Sequence, residues 1–243
     1  MQKQLRSVCK PTIHAARKAL RAATEPERAP ILQRFFKTGP GEYAEGDVFL
    51  GVTVPRTREV ATAFADLSLS DVRKLLRSRF HEERLLALLI LVRKYQRGDP
   101  VVREKVFNLY LSNLEWINNW DLVDVSAEHI IGAQLIERDR RVLHTLAASP
   151  NLWRRRVAII ATFHFIKRND FSETLCLAEK LLQDEHDLIH KAVGWMLREI
   201  GKRDRPVEEK FLRKHGRQMP RTMLRYAIEK FPEPLRQAYL RTD

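Results

Sequence analysis

Ala87, Val123, Ala158, Ala192 and Ala227 follow one another at intervals of 36, 35, 34 and 35 residues. Each lies in a segment whose apolar residues recur at three- and four-residue spacing, the mark of an amphipathic helix. Every interval has room for two helices and a short turn: Leu85–Leu114, Trp120–Ala148, Trp153–Gln183 and Leu188–His215. Two-helix units at this period identify a helical solenoid, in which no unit buries its apolar face alone and each must stack on its neighbours. The Trp, Gly, Tyr and Pro positions of the tetratricopeptide consensus are absent. The expectation is therefore all-α: a superhelical stack of HEAT-like antiparallel helix pairs with a concave face. An irregular helical bundle is the alternative.

The rest of the chain agrees with an all-helical reading. Further helices are predicted at 2–23 (with Pro11 a candidate break), 25–36, 55–66, 69–79, 82–96, 100–114, 120–136, 139–148, 153–167, 172–183, 188–202, 207–215, 221–230 and 233–240. Ser70-Asp71, Asn119, Ser149 to Asn151 and Asp170 to Ser172 supply capping side chains near the starts of several. No segment has the period-two alternation of a sheet strand. Thr38 to Asp47 carries two turn signals in ten residues and reads as a loop. It lacks the Lys-Ser/Thr of a phosphate-binding loop and follows no strand. One domain over 1–243 is expected, with N-terminal helices to 37, a loop over 38–54 and helical repeats over 55–243.

Charge narrows the partner. The 243 residues hold 44 Lys and Arg against 31 Asp and Glu, a net charge of +13. Such an excess suits a polyanion, because basic side chains that neutralise phosphates release counterions. A membrane surface is the rival, but no segment combines the basic and aromatic faces of an interfacial anchor. The most apolar run, Leu85 to Val92, is far too short to span a bilayer. The opening Met1-Gln-Lys-Gln-Leu-Arg lacks the apolar core of a signal peptide. Cys9 and Cys176 cannot build a zinc cluster and read as structural thiols of a reducing compartment. These features point to a soluble cytoplasmic protein that binds no membrane and needs no cofactor.

One segment stands apart. Trp120-Asp-Leu-Val-Asp124 opens a predicted helix, and positions i and i+4 share a helix face, so an indole and a carboxylate would lie together on a basic body. Phosphates repel a carboxylate, so an acid facing DNA needs a chemical reason. Asp121, in the first turn, is accounted for by the helix dipole; Asp124 lies a turn further in, where that account is weaker. Glu128 is read as facing solvent or a neighbouring Arg. Of the consecutive Arg154, Arg155 and Arg156, one or two would face DNA. His81, His129, His164, His186 and His190 show no metal-ligand spacing and read as packing or surface residues. No Ser-His-Asp or Cys-His arrangement emerges. Trp120 and Trp195 have core packing as a competing role.

In order along the chain stand Arg34-Phe35-Phe36, Phe49-Leu-Gly51-Val-Thr53-Val-Pro55, Trp120-Asp-Leu-Val-Asp124, Trp153-Arg-Arg-Arg156 and Lys191-Ala-Val-Gly194-Trp195-Met-Leu-Arg198-Glu199. Together they resemble the AlkD-like DNA alkylation repair glycosylases, over about residues 20 to 232. The resemblance implies a bacterial-type, nucleoid-associated enzyme of base excision repair; a monomer is the default for this architecture. It would remove cationic purines, such as N3-methyladenine and N7-methylguanine, from double-stranded DNA. It implies that Asp124 is the catalytic acid, Trp120 packs on the sugar, Arg156 contacts phosphate, and Trp195 faces DNA. Phe35 occupies the place of a family Tyr and keeps the ring without the hydroxyl. Thr53, Arg56 and Arg155 are further DNA-facing positions by the same carry-over; Tyr43 in the longer loop has no assigned place. It also implies that the concave basic surface grips the backbone while the lesion stays in the stack.

The chemistry is consistent with that inventory. Glycoside hydrolysis ordinarily uses two carboxyl groups, one to protonate the leaving group and one to support the sugar cation. A purine alkylated at N3 or N7 is already cationic and leaves neutral, so one carboxylate suffices. Two rivals carry the same charge and helices: a non-catalytic module for distorted or branched DNA, and a protein-interaction solenoid.

Overall fold

The computed structural model describes residues 11–241. Cys9 and the part of the 2–23 helix before Pro11 lie outside the described residues. The chain divides into two compact units, with Leu122 the last residue of the first and Val123 the first of the second. Among the described residues there is no strand; the single β-bridge pairs Val48 with Phe80. None of their helices is long and apolar enough to cross a membrane.

The first unit contains α1 (Ile13–Ala22), α2 (Arg28–Phe35), α3 (Val54–Ala63), α4 (Leu69–Leu76), α5 (His81–Arg97) and α6 (Pro100–Leu111). Helix α1 starts after Pro11, where the Thr12 hydroxyl accepts from the Ala15 N–H. Ser68 caps α4, two residues before the expected Ser70. Asp99 caps α6, with Pro100 at its first position, where a missing N–H costs nothing. Helix α5 is the axis of the unit and packs on α3, α4 and α6. Every residue from Leu85 to Val92 is buried, which explains why the run shows no polar face.

Helix α7 (Trp120–Asp124) continues the chain into the second unit, which holds α8 (Ala133–Leu135), α9 (Arg141–Ala147), α10 (Leu152–Ala161), α11 (Phe163–Ile166), α12 (Ser172–Lys180), α13 (Asp187–Gly201), α14 (Arg205–His215), α15 (Arg221–Ala227) and α16 (Glu233–Arg241). Helix α13 is central, packing on α10, α14 and α15. The five repeat positions, Ala87, Val123, Ala158, Ala192 and Ala227, are all fully buried.

Two expected long helices are interrupted. The helix expected over 120–136 stops at Asp124, turns at Ser126, whose N–H bonds the Val123 carbonyl, and resumes as a π-turn over Glu128–Gly132 before α8. Gly132 lies where a Cβ would come within 2.1 Å of the Ala161 carbonyl, so the widened turn presses backbone on backbone. The helix expected over 153–167 breaks at Thr162, whose hydroxyl bonds the Ile159 carbonyl and competes with the ladder.

Candidate active site

In the first unit the residues around Trp120 are assembled from the 37–53 loop and the start of α5. Lys37, with φ 54°, ends α2. The loop then returns so that the backbone N–H groups of Leu50, Gly51 and Val52 all donate to the Glu82 carboxylate, at 2.9, 2.8 and 3.2 Å. Gly51 is required there: its φ is +88°, and a Cβ would meet the Glu25 carbonyl at 2.3 Å. The cradle fixes Phe49, which stacks on Phe36 at 5.0 Å. Phe36 in turn stacks on the half-buried Trp120 indole at 5.1 Å and 21°. Phe35 is 62% exposed and meets Trp120 edge-on at 6.0 Å.

Beneath this stack lies a charged cluster that the sequence reading missed. His81 is buried against both Phe36 and Phe49. Its Nε2 bonds Asp121 at 2.8 Å and its Nδ1 bonds Asp47 at 3.2 Å. Asp47 also accepts from Arg84 at 2.7 Å and Asn118 at 3.2 Å. Burial alone would lower the imidazole pKa, but Asp121, through charge and hydrogen bond, and the bond to Asp47 outweigh it and raise it to about 9. Asp121 is therefore an ion-pair partner and not only a residue of the first helical turn. No local pattern announces the pairs, since His81 is 34 residues from Asp47 and 40 from Asp121.

The other expected residues of this unit lie nearer the surface. Thr53 is the half-buried residue before α3, and its side chain makes no capping bond. Arg56 is exposed and pairs with Glu59 at 2.8 Å. Tyr43 is half-buried; the firm anchor of the loop is Asp47.

In the second unit Arg156 grips Asp124. Its Nε and Nη2 donate to the two carboxylate oxygens at 2.9 and 2.7 Å, a bidentate fork, and its Nη1 donates to the Leu188 carbonyl at 2.6 Å. The Arg156 side chain is 6% exposed, that of Asp124 19%. Three guanidinium nitrogens are thus engaged inside the protein, and the geometry fixes Arg156 on the carboxylate. Arg155 pairs with Asp184 at 2.6 Å and also donates to the carbonyls of Ser149 and Pro150, while Arg154 is exposed. Trp195 is half-buried; its Nε1–H bonds Glu199 at 3.2 Å and its ring leans on Phe163 at 5.8 Å. Glu128 is buried and pairs with Lys167 at 2.5 Å, so its partner is a Lys, not an Arg. Among the described residues no cluster could hold a metal ion. Cys176 is an exposed free thiol.

This is a helical protein in which an acid is held by an arginine and a tryptophan by an aromatic stack. Residues 16–231 match the family model for the DNA alkylation repair enzyme, and the chain belongs to that family. Among solved structures it is similar to a "Predicted DNA alkylation repair enzyme from Enterococcus faecalis", with a TM-score of 0.64 and 17% identity over 86% of this chain and 97% of that one. At that identity the likeness establishes the fold. No curated protein matches the sequence.

Proposed function

We propose that the protein is a monofunctional DNA glycosylase that hydrolyses the N-glycosidic bond of cationic alkylated purines in duplex DNA. The observation that carries this reading is the Asp124–Arg156 fork, which holds a partly exposed carboxylate in one orientation. In the reaction the C1′–N bond breaks and its electron pair leaves with the purine, which the alkyl group had made cationic. The base departs neutral without a proton donor. The deoxyribose becomes oxocarbenium-like, and the Asp124 carboxylate stabilises that charge. A water molecule adds its oxygen to C1′ and gives up a proton to the solvent, leaving an abasic site.

A well-placed group of this kind contributes about 3–4 kcal/mol to the transition state. Arg156 supports the chemistry by fixing Asp124, and Trp120, four residues earlier on α7, packs on the sugar with a ring face that favours a developing cation. A net charge of +13 supplies the attraction to the phosphate backbone. The same reading takes Phe35, Thr53, Arg56, Arg155 and Trp195 as positions that face DNA, with the lesion left in the stack. The test is incubation with a duplex carrying one N7-methylguanine. Strands intact until alkali treatment, then cleaved at the lesion, are expected. Untouched strands with both N7-methylguanine and N3-methyladenine substrates would remove the proposal.

A further inference from the structure

Trp120 sits on a support more elaborate than packing requires. Its indole lies on Phe36, Phe36 lies on Phe49 and His81, and His81 is hydrogen-bonded to Asp121, the residue next to Trp120. Both layers that fix the indole, the ring beneath it and the backbone beside it, therefore end on one imidazole. The opposite nitrogen of that imidazole is bonded to Asp47, at the end of the loop that delivers Phe49. A buried aliphatic side chain would fill the space without the cost of burying two carboxylates and an imidazole together.

We propose that His81 is a positioning residue for Trp120, joining Asp47 of the 37–53 loop to Asp121 of α7 and supporting the aromatic stack that orients the indole. The charged groups facing it are Asp47 from the loop, Asp121 from α7 and Arg84 from α5 itself; the neighbouring Glu82 is occupied by the three loop N–H groups. Two carboxylates against one guanidinium keep the imidazole charged, so that it donates from both nitrogens at once. Loss of that proton removes one of the two bonds and frees either the loop or the start of α7. The indole would then lose its single orientation, and with it the face offered to the sugar. This role rests on the glycosylase reading only for its kinetic consequence.

The experiment uses the whole protein with its four tryptophans, Trp116, Trp120, Trp153 and Trp195, replaced by 5-fluorotryptophan and read by fluorine NMR. The Trp120 signal, assigned from Trp120→Phe, should move with pH in wild type with a midpoint near 9. In Asp121→Asn the midpoint should fall by more than one pH unit, while the signals of Trp153 and Trp195 stay in place. Base release in single turnover should then decline at least tenfold with rising pH through the new midpoint, with duplex affinity unchanged. Asp47→Asn is the second variant should Asp121→Asn not fold. A Trp120 signal indifferent to pH and to both variants, or four signals moving together, would overturn the role. Failure of wild type to release any base would instead strike the glycosylase reading and leave the NMR result to decide the positioning.

Discussion

Replacing Arg156 with Ala separates a residue that positions the acid from one that holds DNA. The substitution removes two charge-assisted hydrogen bonds to Asp124 and one to the Leu188 carbonyl. Losing one partner of a fully buried pair costs about 3–5 kcal/mol. Asp124 retains 19% exposure and can take up water, so the lower end of that range, about 3 kcal/mol, is expected. For a chain of this size that corresponds to a melting temperature lower by roughly 6–12 °C. The freed carboxylate can rotate, and a displacement on the order of 1 Å costs about 100-fold in rate. Arg156→Lys keeps the charge but not the planar fork, and should lose most of the rate with less of the stability. The assay is single-turnover release of N7-methylguanine at saturating protein, beside the duplex dissociation constant at several salt concentrations. Arg156→Ala should lose rate while keeping its salt slope. A rate within about threefold of wild type, together with a salt slope shallower by about one, would show that Arg156 neutralises a phosphate and would refute the positioning argument.

Other substitutions follow from single contacts. Gly51→Ala should destabilise the first unit by more than about 1 kcal/mol, since it meets both a left-handed backbone and the Glu25 carbonyl at 2.3 Å; denaturant unfolding equal to wild type would contradict the cradle. Glu208 is buried on α14, and burial, with Glu209 beside it, outweighs Arg205 and Arg198 and raises its pKa to about 8. A carboxyl whose folded pKa is raised stabilises the fold below its unfolded value near 4.5, and that contribution is lost as pH climbs to about 8. Thermal melts should therefore fall over that window in wild type and fall less in Glu208→Gln; parallel melting curves would refute the assignment.

How far the residues announced this structure depends on whether the information was local. The burial of Ala87, Val123, Ala158, Ala192 and Ala227 was legible because each is an apolar residue on the apolar stripe of its segment, and burial is a property of one helix face. Pro100 and Asn151 marked helix starts by their own backbone and side-chain chemistry. The interruption after Asp124 was not legible, because it is set by Gly132 meeting Ala161 and Glu128 meeting Lys167, contacts made 29 and 39 residues away. Asp124, Arg156 and Trp120 were singled out through motifs, yet the partners the structure gives them were not. That Arg156 turns inward onto Asp124 and Arg155 onto Asp184 depends on where α10 directs each side chain, and three consecutive Arg residues look alike in sequence. His81 does pack, as read, but its charged partners stayed hidden for a similar reason: a histidine before two glutamates gives no sign that carboxylates reach it from Asp47 and Asp121.

The central claim is that the Asp124 carboxylate performs the chemistry while the rest of the protein holds the duplex. Its most direct test is single-turnover release of N7-methylguanine by wild type and Asp124→Asn, with duplex binding measured on the same samples. The account predicts release by wild type, loss of at least about 100-fold in the variant, and binding that is equal or tighter, because a charge facing the phosphates has gone. Release by Asp124→Asn at the wild-type rate, or loss of binding together with activity, would contradict it.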